Sequence, residues 1–127
     1  MFVINEDQSI YCTRGDAVSF SVSAAVGESS YTFREGDVVR FKVFAKKDCE
    51  SVVLQKDITV EALSASVTVS LDGSDTKIGG IISKPTDYWY EVELNPDTYP
   101  QTIIGYDGDG ARIFRLFPEG GAINEQL

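Results

Sequence analysis

At 127 residues the chain is the size of one domain, and its 43% apolar and 11% aromatic content is that of a chain that buries a core. Twenty acidic against eleven basic residues leave a net charge of −9, which argues against docking on nucleic acid or an anionic membrane surface, since both draw on clustered Lys and Arg. There is no histidine, which excludes Ser-His-Asp and Cys-His catalysis, and two cysteines cannot supply the four ligands of a structural zinc site.

The chain opens Met-Phe-Val-Ile-Asn, without the basic segment and long apolar run of a signal peptide, and no stretch is long enough to span a bilayer. Synthesis and folding in the cytoplasm are expected, with reduced thiols, so Cys12 and Cys49 read as small hydrophobes in or near the core. Ser9 to Thr13 forms a first strand, and Arg14-Gly15-Asp16 is turn chemistry, although it matches the tripeptide that animal integrins recognise. From Ala17 to Ala24 the pattern has period two, with Val18, Phe20, Val22 and Ala24 on one face and serines on the other. Gly27-Glu28-Ser29-Ser30 and Glu35-Gly36-Asp37 are turns that precede a strand from Val38 to Ala45, with Val39, Phe41 and Val43 inward and Arg40 and Lys42 outward.

Ser51 to Val60 alternates through Val52, Leu54, Ile58 and Val60, and Ser66 to Leu71 through Val67, Val69 and Leu71. Ser74 to Gly80 reads as a single helical turn with Ser74 or Asp75 as cap. Tyr88 to Leu94 puts Tyr88, Tyr90, Val92 and Leu94 on one face and Trp89, Glu91 and Glu93 on the other, together with Asp87. Pro100 to Tyr106 and Arg112 to Phe117 complete the set, joined by Asp107-Gly108-Asp109-Gly110 as a hairpin turn. About eight strands at such spacing, with no helical pattern between them, predict an antiparallel sandwich over residues 1–118 with Phe20, Phe41 and Val92 buried. Residues 119–127 carry Gly120-Gly121 and no periodicity, which predicts a flexible C-terminal tail.

No recognisable constellation in this sequence carries chemistry, so no catalytic, cofactor or metal residues are expected; a small enzyme using a carboxylate pair among the 20 acids is a third, weaker reading. Asp107-Gly108-Asp109 fails as a calcium loop, because the fifth, sixth and twelfth positions hold Ala111, Arg112 and Pro118. The one candidate site is a contact surface of Trp89, Glu91 and Glu93, since an outward Trp on a polar strand face is the residue type that dominates interface hot spots. The competing reading covers Trp89 with a second sheet or the tail, and period two does not decide between them.

The order of segments adds a resemblance. Cys12-Thr13-Arg14-Gly15-Asp16 leads into Val18-Ser19-Phe20-Ser21-Val22, then Phe33-Arg34-Glu35-Gly36-Asp37 into Val39-Arg40-Phe41-Lys42-Val43, and Tyr88 to Leu94 precedes a polar turn and a last strand. Over roughly residues 9 to 117, this resembles the small immunoglobulin-like β-sandwich domains of phages of Gram-positive bacteria, in particular the N-terminal domain of the baseplate upper protein. The resemblance implies a virion location and a structural role, with other virion proteins or a second copy of the chain as partners. The chain stops at Leu127 without the helical linker and receptor-binding head of that family, so head decoration, tail fitting and assembly roles stand beside the baseplate role. A carbohydrate-binding module using Trp89 and neighbouring tyrosines is the alternative.

Overall fold

Side chains that alternate between water and core decide most of the backbone, because only an extended strand sends successive residues to opposite faces. The computed structural model describes residues 2–26, 28–47, 51–105 and 111–119. Among them every regular element is a strand: β1 (Phe2–Ile4), β2 (Ile10–Thr13), β3 (Val18–Val22), β4 (Ala24–Val26), β5 (Ser29–Tyr31), β6 (Val38–Phe44), β7 (Val52–Thr59), β8 (Val67–Leu71), β9 (Thr86–Leu94), β10 (Gln101–Ile104) and β11 (Arg112–Phe117). No helix of the described residues is long and apolar enough to cross a membrane.

Seven strands share one sheet, in the order β1-β2-β11-β9-β6-β7 with β10 also on β9. β3 and β8 form a two-stranded sheet, and β4 and β5 a small hairpin. The ladders are antiparallel except for β2 and β11, which run parallel from Phe114 opposite Ile10 to Phe117 opposite Thr13. β9 is the hub. β6 lies along one side of Trp89–Leu94, while β11 pairs with Thr86–Tyr90 and β10 with Val92–Leu94 on the other side. β10 and β11 are therefore successive pieces along one side of β9, not the two arms of the expected hairpin. Asp107-Gly108-Asp109-Gly110 lies outside the described residues.

β3 and β8 alternate buried and exposed without a break, so Val18, Phe20 and Val22 meet Leu71, Val69 and Val67 on one apolar face. That face packs on the inner face of the large sheet, where Val39, Phe41, Val43, Tyr90, Val92, Leu94, Phe114 and Leu116 are buried. Phe41 sits at the centre, with ring centroids of Phe20, Tyr90 and Phe114 at 5.5, 5.6 and 6.1 Å. Phe20, Phe41 and Val92 are all buried, as their alternation predicts. Cys12 is fully buried as a free thiol, and burial pushes its pKa up to about 12. Cys49 lies outside the described residues.

Arg14-Gly15-Asp16 forms the predicted turn, closed by the Asp16 amide donating to the Thr13 carbonyl, with Gly15 at φ +91°. Thr76, fully buried, locks the turn: its Oγ1 accepts from the Gly15 amide at 3.0 Å and donates to the Asp16 carbonyl at 2.8 Å. The two backbones approach so closely that a Cβ on Gly73 would lie 2.6 Å from the Gly15 carbonyl oxygen, so only glycine fits there. The segment expected as a helical turn is instead a tight turn organised by Asp72, whose Oδ1 accepts from the Ser74 and Asp75 amides. Arg14 is buried, donating to the carbonyls of Ile78 and Gly79 and pairing with Glu119 at 2.6 Å. Its guanidinium is not displayed in the manner integrin recognition requires. Glu119, where the tail was expected to begin, is thereby tied to the body, and residues 120–127 lie outside the described residues.

Among the described residues eleven strands stand where about eight are expected. β1 is an addition beside β2, and the run from Ala17 breaks after Val22, so that Ala24 starts the β4–β5 hairpin. Alternation continues through Ala24, so facing alone carries no sign of the break.

Candidate interaction surface

β9 is held between strands on both sides, so its outward residues lie in the middle of the large sheet's outer face. Trp89 stands opposite Phe44 on β6 and opposite Ile113 on β11, and Phe44 is in turn the partner of Val52 on β7. The register thus assembles an apolar row, Val52–Phe44–Trp89–Ile113, across four strands. Phe44 is buried, with Lys42 Nζ 5.6 Å from its ring centroid; Trp89 and Ile113 are half-buried. At the β7 end Val52 and Val53 are 50% and 41% exposed, so the row opens to water at the sheet's edge.

Charges flank this row on both sides, and they are paired. Lys42 Nζ lies 2.9 Å from Glu93 and 3.5 Å from Glu91. Burial works against the Lys42 charge, but the two carboxylates outweigh it and hold its pKa above the ordinary value. Arg40 grips Asp57 through two hydrogen bonds of 2.8 and 3.0 Å and reaches Asp97 as well. Arg40's hydrogen bonds hold the Asp57 carboxyl below its usual range, against a smaller opposing effect of burial. On the other side Arg115 pairs with Asp87, and its guanidinium lies 5.0 Å above the Tyr11 ring.

The sequence-derived residues Trp89, Glu91 and Glu93 are brought together on one outward face, with Trp89 half-buried. Sequence reading missed the rest of the row and the one cation, Lys42, that binds both glutamates. One signal was available: Arg40 and Lys42 point outward on one strand and Glu91 and Glu93 on another, which is complementary if the strands are neighbours. Comparison with protein families, curated proteins and solved structures gives no match. Among the described residues no three of His, Cys, Asp and Glu gather where they could hold a metal ion. An apolar strip bordered by ion-paired charges has a hydrophobic centre and a polar rim, the anatomy of a contact patch.

Proposed function

We propose that the chain is an attachment domain of a bacteriophage particle, a tail, baseplate or head accessory protein that works by protein–protein binding and carries out no chemistry. The apolar row through Trp89 carries the reading: its central residues lie on a sheet face directed away from the core, among charges already paired with one another. A partner that covers it gains apolar burial without stranding a cation or carboxylate, which is what makes such a patch favourable to close.

The strand order supports an immunoglobulin-like sandwich. β11-β9-β6-β7 corresponds to the G-F-C-C′ sheet of a variable-type domain, and β3 paired with β8 corresponds to strands B and E of the facing sheet. The chain order of these strands, B, C, C′, E, F, G, agrees as well. The departure is on the second sheet, where β3 and β8 stand as a pair among the described residues. A sugar-stacking role for Trp89 has less support, since its half-buried ring lies within a row on a sheet face.

Photocrosslinking tests the reading. A photoreactive side chain at Val53, exposed beside the row, should give a crosslink to one defined protein of purified particles. The reading fails if the chain is absent from particles, or is present and crosslinks only from positions on the β3–β8 sheet.

A further inference from the structure

At one end of the sandwich, away from the row through Trp89, the β4–β5 hairpin and the turn between β9 and β10 enclose a cleft of about 1000 Å³, the upper end of the size of small-molecule sites. We infer that this cleft binds an oligosaccharide, with Tyr99 as the ring on which a sugar stacks.

Three observations carry this. The first is Tyr99 itself, 74% exposed, an aromatic side chain in the cleft lining that the core does not use. Its backbone is fixed: Pro100 follows it, Pro96 lies earlier in the same turn, and the amides of Thr98 and Tyr99 both donate to the Asn95 carbonyl, at 3.1 and 3.0 Å. A ring on a rigid turn costs little entropy to dock against, and its apolar face with a polar tip suits the C–H face and hydroxyl edge of a pyranose.

The second is the chemistry of the lining. Ser30, Gln101 and Thr102 supply neutral groups that both donate and accept, and among the described residues the lining holds no carboxylate and one cation, Arg34. In a chain of net charge −9 this is a departure from the rest of the surface. It fits a polyol, neutral or with an acidic substituent, and does not fit a basic peptide.

The third is that both walls are braced from beneath by one buried carboxylate. Asp37 accepts from the Tyr31 hydroxyl at 2.7 Å and the Arg34 amide at 2.9 Å on one wall, and from the Asn95 side-chain amide at 3.2 Å on the other. Asn95 also accepts from the Val38 amide at 2.8 Å, which anchors the β9–β10 turn to β6. The cleft is therefore held open in its binding shape before a ligand arrives, so little of the binding free energy goes into ordering it.

The inference stands apart from the attachment reading, since the cleft and the row share no residue. The test is titration calorimetry of the full chain against two panels, neutral oligosaccharides including N-acetylglucosamine oligomers, and acidic cell-wall glycan fragments, at concentrations into the millimolar range. Binding by members of either panel is expected, weakened about tenfold or more in Tyr99→Ala and unchanged in Trp89→Ala. Circular dichroism checks that both variants are folded. No binding by either panel, or binding that survives Tyr99→Ala, overturns the inference, and binding lost only in Trp89→Ala moves the sugar site to the outer face.

Discussion

Phe20 of the two-stranded sheet presents its edge to Phe41 of the large sheet, with centroids 5.5 Å apart and ring planes at 69°. This contact joins the two layers at their centre, and Phe41 extends it to Tyr90 and Phe114. Phe41→Ala should cost about 3–5 kcal/mol, from lost transfer free energy plus the cavity left among three rings. Denaturant titration measures this. A loss under about 1 kcal/mol is the scale of a surface change and would mean that the sheets do not meet there.

Arg14 is the second structural test. Replacing it with Ala leaves the carbonyls of buried Ile78 and exposed Gly79 without their donor, and should cost about 1–3 kcal/mol, chiefly from Ile78. Glu119→Gln removes only the half-exposed partner and should cost under about 1 kcal/mol, as ion pairs open to solvent do. Equal effects from the two substitutions would show that the salt bridge, not the backbone contacts, is what Arg14 contributes.

Much of this was legible in the sequence, and the boundary has a physical cause. Period two assigned the buried face of β3 and β8 correctly, because each has one apolar side and one polar side, and it placed Val39, Phe41 and Val43 of β6 and Val92 of β9 inward, but it left open what covers Trp89 on the other face of β9. It did not say which strands are neighbours, since pairing depends on residues far apart in the chain. The row through Trp89 is therefore invisible until Phe44, Trp89 and Ile113 are set in register. The same limit explains β10 and β11, whose separate runs look like a hairpin although both pair with β9. The cleft was hidden for another reason: Tyr99 lies in a turn between strands, where no periodicity marks what a side chain faces.

Acid should loosen the cleft before it melts the core. Burial opposes the Asp37 charge, yet the Arg34 amide, the Tyr31 hydroxyl and the Asn95 amide together hold its pKa below the ordinary value. Asp57 is held down chiefly by Arg40. With unfolded values near about 3.9, the stability from both carboxylates is fully present above that pH and is lost as pH falls through their folded values. Thermal melts from about pH 6 down to about pH 2 should show a fall that begins below about pH 4. Asp37→Asn should lower stability at neutral pH and reduce that fall. An unchanged pH profile in the variant would remove Asp37 as the brace of the two walls.

The central claim, that the chain attaches to other virion proteins through the face bearing Trp89, is tested most directly by incorporation. Phage particles assembled with either the wild-type chain or Trp89→Ala would be purified, and the chain in each quantified. The account predicts that wild type is incorporated and that the variant, folded by circular dichroism, is depleted as expected for a hot-spot loss of about 2 kcal/mol or more. Equal incorporation of the two chains, or absence of the wild-type chain from particles, would contradict it.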